Sequence, residues 1–211
     1  MSDGWQSTTL GDVADLEIGR TPPRKDPSYW TDSMERPFCT IADMDGRVIT
    51  PSREGVTELA EQDQKARRME AGSLLMSFKL TIGRVAFAGC DLFPNEAIVG
   101  ITPDEFVTSR DYLYLNLGSR DLTVGSGQAV KGKTLNSKSL KAIALDLPPL
   151  EEQRRIVDLV GSIDVYIDAL EAQIDATRTV RSGVLSELLS NPNDGWQSTT
   201  LGDVADLEIG R

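Results

Sequence analysis

The chain has 211 residues, 39% of them hydrophobic and 26% charged, which is enough to bury a core in one domain or two small ones. No apolar run approaches about 18 residues and no basic, apolar leader is visible, so neither a membrane span nor a secretory signal is supported and a cytoplasmic location is expected. The net charge of -11 argues, on the total alone, against a nucleic-acid partner, and the absence of histidine removes the commonest general acid–base.

Asp3 to Arg20 reads DGWQSTTLGDVADLEIGR, and the same eighteen residues return at Asp194 to Arg211. The expectation is one period of 191 residues followed by the start of another. After the first copy, TPPRKDP, Thr21 to Pro27, reads as a stiff loop that follows Arg20 and carries Arg24 and Lys25. Cys39 and Cys90 have no metal-ligand spacing and are expected as core thiols, so no metal or other cofactor is implied. Asp43 and Asp45 in IADMDG are a carboxylate pair better explained by an Asp-Gly turn than by catalysis.

VTELAEQDQKARRME, residues 56–70, has helix-forming composition. Ser73–Phe78 and Arg84–Ala88 read as strands bracketing a tight KLTIG loop that carries Lys79 and Thr81. SRDYLYLNLGS predicts a helix, and VGSGQAVKGKTLNSKSL a glycine-rich polar loop. Residues 1–149 therefore predict an α/β (α+β) domain with a mainly antiparallel or mixed sheet, because no regular βαβ alternation is visible.

Charge is unevenly distributed along the chain. Residues 1–150 hold 17 basic and 21 acidic side chains, residues 151–190 hold 4 and 8, and residues 191–211 hold 1 and 4. The first segment has enough cations for a local basic face. Lys131, Lys133, Lys138 and Lys141 cluster with Ser126, Gln128 and Asn136 along one polar stretch, and such groups contact phosphates and base edges respectively.

GQAVKGKT, Gly127 to Thr134, satisfies the phosphate-loop pattern G-x-x-x-x-G-K-[ST]. Such a loop needs a strand before it, a helix directly after it and most of a parallel sheet beyond, and the short LNSKSLKAIALDL that follows does not supply them. A P-loop nucleotide-binding protein is kept as an alternative, as is a coiled-coil adaptor that binds only protein.

At LDLPPLEEQRRIV the pattern changes. Pro148 and Pro149 end a strand, and Leu150 to Ser190 is free of proline, with Glu151 and Glu152 where a helix macrodipole favours anions. Ile156, Val160, Ile163, Ile167, Leu170, Ile174, Thr177, Arg181, Val184 and Leu188 recur in alternating steps of four and three, which is a heptad seam. About 40 residues give a rod of about 60 Å, whereas a domain of about 150 residues is about 30 to 40 Å across, so the excess seam requires a partner such as a second copy.

These residues resemble a known family. LPPLEEQRRIV and its long helix, LGDVADLEIGRTP at the start, and GSLLMSFKLTIGRVAF in the middle, in that order, resemble the specificity subunit of type I restriction-modification enzymes. The resemblance implies a target recognition domain at 1–149, a conserved spacer helix at 150–190 and a partial repeat at 191–211. It also implies a non-catalytic, DNA-binding role that directs methyltransferase subunits, and with them restriction and motor subunits, to an interrupted target methylated on adenine. The usual subunit holds two such domains with their helices antiparallel. One domain and one helix imply a homodimer paired through Ile156, Val160, Ile163, Ile167, Leu170, Ile174, Val184 and Leu188, reading a palindromic target. Arg20, Arg24, Lys25, Lys79, Thr81, Ser126, Gln128, Lys131, Lys133 and Asn136 are the expected DNA contacts.

Overall fold

A computed structural model describes residues 4–51, 53–122, 135–190, 196–197 and 199–206. It divides into two compact units, Met1–Leu159 and Val160–Arg211. In chain order the first unit contains β1 (Gln6–Thr9), α1 (Leu10–Val13), β2 (Ala14–Ile18), β3 (Trp30–Thr31), β4 (Phe38–Cys39), β5 (Val48–Ile49) and β6 (Gly55–Val56). Then come α2 (Glu58–Gln62), β7 (Leu74–Ser77), β8 (Val85–Ala88), β9 (Phe93–Pro94), β10 (Ile98–Pro103), α3 (Arg110–Gly118), α4 (Ser137–Lys141) and β11 (Ala144–Leu147). A continuous helix, α5 (Leu150–Ser190), runs from the first unit into the second, which also holds α6 (Leu201–Val204).

The main sheet has the order β2-β10-β7-β8-β5, antiparallel except for the parallel pair β5 and β8. β7 and the first four residues of β10 are buried throughout, so they read as short apolar runs rather than alternating strands. One face packs Leu74, Met76, Val99 and Ile101 against Tyr112, Leu113 and Leu117 of α3, Leu140 of α4 and Leu10 and Val13 of α1. The other packs Leu75, Ala86 and Ile98 against Cys39, Met44, Ile49 and Leu92. A separate two-stranded pair joins the start of the domain to its end: Gln6 to Thr9 lie opposite Leu147 to Ala144.

The strands and turn around KLTIG, the helix after Ser109 and the helix after the double proline form where the sequence predicts them. Two expectations are corrected. The helix in residues 56–70 is limited to Glu58–Gln62: Gln64 adopts φ 55°, Lys65 and Ala66 both donate to the Ala60 carbonyl, and Met69 exchanges two backbone hydrogen bonds with Leu92. This extended pairing of Met69 with Leu92 overrides a helix-forming composition there. The polar stretch up to Leu140 is not wholly a loop either, because Asn136 and Ser139 form a reciprocal cap that opens α4, and buried Leu140 anchors it. Residues 123–134, with Ser126, Gln128, Lys131, Lys133 and the phosphate-loop pattern, lie outside the described residues, as does the whole of NPND, residues 191–194, after α5.

Cys39 is buried, and burial pushes its thiol up to about 12, with the Asp43 carboxylate adding to the effect. Cys90 is only half-buried, so it is not the core thiol that composition suggests.

The first turns of α5 belong to the first unit. Gln153 is fully buried: its amide nitrogen donates to the Val107 and Pro148 carbonyls, both at 2.9 Å, and its oxygen accepts from the Thr108 hydroxyl at 2.9 Å and the Ser109 N–H at 3.3 Å. Ile156 and Val157 pack on the main core beside it.

Candidate nucleic-acid interface

The strand directions bring several loops to one end of the main sheet. β2 and β7 finish there, while β5, β8 and β10 begin there. Hydrogen bonds continue the sheet past the strand ends: Gly19 donates to Ile98, Arg20 to Pro94, Phe78 to Ala97 and Leu135 to Phe78. The segments around Arg20–Lys25, Arg47, Lys79–Arg84, Asn95–Ala97 and Leu135–Asn136 thus share one edge of the domain. The junction with α5 is fastened beyond Pro103, at the other end of β10.

At this end Arg24 forms a two-point ion pair with Glu54, at 2.6 and 2.8 Å, and its guanidinium lies 3.7 Å from the centroid of the Trp30 ring, which meets Phe38 edge-on. Arg20 donates to the Gln64 carbonyl at 2.6 Å. Lys79 is half-buried with its ammonium 5.4 Å from the Phe78 ring, and Thr81 is exposed, its carbonyl accepting from the buried Ser77 hydroxyl. Lys25 is exposed, with no hydrogen bond or ion pair among the described residues. Asn136 is spent on capping α4, which leaves its side chain less available for a base edge.

Glu96 ties these pieces together. A hydrogen bond from the Thr21 hydroxyl holds its carboxyl below the usual range, against the opposing effect of partial burial, and the charges of Lys79 and Arg24 lower it further. Two cations from separate loops therefore face a common carboxylate, which makes this a partly neutralised cluster rather than an open basic patch.

Sequence reasoning missed Arg84, which donates to the Met44 carbonyl at 3.4 Å, and Arg47, which lies over Phe87 and Tyr114 and pairs with Asp111 at 3.7 Å. Both border a cleft of about 620 Å³ or its loop, with Asp45, Gly83, Tyr114 and Ser119 among the lining residues. Their only sequence signal is an arginine just before a strand. Among the described residues no group of three or more potential ligands could hold a metal, and no helix is long and apolar enough to cross a membrane.

The expected pairing seam divides in two. Ile156 is engaged with the domain core and Val160 is half-buried. Ile163, Ile167, Leu170, Ile174, Val184 and Leu188 are 42–61% exposed, a long unburied apolar row on one helix.

A family model for the type I restriction modification DNA specificity domain matches residues 2–177. The type I restriction enzyme MjaIX specificity subunit of Methanocaldococcus jannaschii is 24% identical over 230 residues, covering 98% of this chain and 52% of its own. The HindI specificity subunit of Haemophilus influenzae is 27% identical over 153 residues, covering 70% of this chain and 33% of its own. The chain thus spans about half the length of the first of these relatives and a third of the second. The crystal structure of the HsdS subunit from Thermoanaerobacter tengcongensis superposes with a TM-score of 0.59 at 22% identity, over 82% of this chain and 40% of that one. A chain from a structure of an assembled type I R-M system gives 0.60 at 23% identity, over 90% and 44%. Both share the fold described above.

Proposed function

This chain belongs to the type I restriction modification DNA specificity domain family, and from that premise we propose that it is the DNA-recognition subunit of a restriction-modification system, working as a pair of half-length chains. The observation that carries the reading is the helix α5, which follows one recognition-type domain and leaves six seam residues from Ile163 to Leu188 about half exposed. A second α5 of the same chain offers a matching row, and burying such rows between helices supplies the driving force for association.

In this reading each domain meets one half of an interrupted target with the loop end of its main sheet. Lys25 and Lys79, with Lys131 and Lys133, contact phosphates, Arg20 and Arg24 orient the TPPRKDP loop, Thr81, Ser126 and Gln128 reach base edges, and Asn136 holds the start of α4 beside them. The chain itself supplies recognition and no covalent step. Methyltransferase subunits dock on the paired assembly to modify adenine in each half-site, and restriction and motor subunits join them. Two identical domains related by a two-fold axis make the target palindromic, with a spacer fixed by the helix pair.

Light scattering on the purified chain tests the pairing. A mass of two chains is expected, falling to one in the double variant Ile167→Asp and Leu170→Asp with the domain still folded. A single-chain mass for the unsubstituted protein at micromolar concentration contradicts the reading.

A further inference from the structure

The duplicated segment occurs in two environments. In the first copy, Gln6–Thr9 pairs with β11, the Leu10 N–H donates to the Ile143 carbonyl at 2.8 Å, and Leu10 and Val13 are 0% and 3% exposed in the core. Gly11 lies so close to Lys141 that an added Cβ would sit 2.7 Å from the lysine Cβ. In the second copy the matching Leu201 and Val204 are 64% and 66% exposed, and a Cβ added at Gly202 would meet nothing within 4 Å among the described residues beyond its own helical turn.

The second copy nevertheless has the local shape that fits this seat. Leu201–Val204 is one helical turn like Leu10–Val13, and Ala205 and Ala14 leave it at nearly the same φ and ψ, -152° and 140° against -153° and 145°. The Thr200 hydroxyl donates to Asp203 at 2.6 Å, as the Thr9 hydroxyl donates to Asp12 at 2.6 Å. We propose that Thr199–Asp206 is an exchangeable second occupant of the seat held by Thr8–Asp15, supplied in trans by the paired chain.

The length of α5 selects the paired chain as donor. The seat ends at Leu147, three residues before a 41-residue helix begins, and a helix of that length is about 60 Å long. Residues 191–195 span at most about 20 Å even when fully extended. In an antiparallel helix pair, each helix ends beside the start of its partner, where the partner's seat lies. The inference thus rests on the pairing proposed above. Both occupants make the same contacts, so the exchange is domain swapping with the covalently closer copy favoured until it is damaged.

The test compares three variants of the full chain: Leu10→Asp, Leu201→Asp and the two together. Leu201→Asp alone is expected to leave the melting curve unchanged. Leu10→Asp puts a carboxylate into a fully buried position, yet it is expected to keep one cooperative transition within about 5 °C of the unsubstituted chain, because the second copy replaces the first. The double variant, with no intact occupant, is expected to lose more than about 10 °C or the whole transition. Light scattering on each folded sample separates the two ideas. If the chain is a dimer and Leu10→Asp melts like the double variant, exchange is overturned while pairing stands. A monomeric unsubstituted chain overturns both, and a Leu201→Asp loss as large as that of Leu10→Asp gives the second copy a seat of its own and overturns exchange.

Discussion

Gln153 is the single polar side chain on which the attachment of α5 to the domain depends most. Replacing it with alanine removes four hydrogen bonds at a fully buried site and strands the Thr108 hydroxyl, itself 0% exposed, with the Val107 and Pro148 carbonyls. A satisfied hydrogen bond is worth about 1 kcal/mol net, and each stranded buried group costs about 1 to 3 kcal/mol. Some of these groups regain a water through the space that alanine opens, so a total of about 3 to 5 kcal/mol is expected, a large share of the about 5 to 15 kcal/mol typical of a domain. Urea unfolding followed by far-ultraviolet circular dichroism measures it, with the midpoint moving down and the slope unchanged. Gln153→Glu separates hydrogen bonding from volume, because the carboxylate still accepts from Thr108 and Ser109 but turns an oxygen toward the two carbonyls that the amide satisfied. A loss below about 1 kcal/mol in both variants would refute the reasoning, since it would mean that water satisfies the site as well as the amide does.

The lowered carboxyl of Glu96 makes part of the stability depend on pH. Its folded-state value lies below the unfolded one near 4.5, so its contribution is present above that value and is lost as pH falls through the folded value. Glu96→Gln is therefore expected to flatten the acid limb of the stability curve, and an unchanged limb in thermal melts from about pH 3 to about pH 7 contradicts this. Cys39, buried and with its thiol raised to about 12, is expected to stay unreactive toward a disulfide reagent in the folded protein at about pH 8, roughly half a unit below the free thiol value, while half-buried Cys90 reacts slowly. Denaturant should then release the missing thiol. Lys25→Ala and Lys79→Ala are expected to weaken DNA binding by the methyltransferase assembly uniformly across sequences, each lowering the salt slope by about 1, as filter binding at several salt concentrations would measure.

The sequence was most informative where local rules and tertiary packing agree. Ser109 caps α3 by accepting from Tyr112, and the helix then presents Tyr112, Leu113 and Leu117 to the core, so composition and cap point the same way. The double proline and the following Glu151 and Glu152 mark the start of α5 for similar reasons. Residues 63–70 misled because their helix propensity yields to the pairing of Met69 with Leu92, a contact between distant segments that no local window contains. The interface was legible as a set of loops but not as an arrangement. The sequence marks Arg24 as an expected DNA contact in a stiff loop, but its pairing with Glu54 and stacking on Trp30 arise only when the chain folds. Gln153 gave no physical signal by itself, since a glutamine in a charged helical run ordinarily faces solvent.

Methylome sequencing of a host expressing this chain with a cognate methyltransferase tests the central claim most directly. The account predicts new adenine methylation at an interrupted palindrome, identical in its two halves, that disappears with the Ile167→Asp, Leu170→Asp variant. No new motif, or a motif with two different halves, would contradict it.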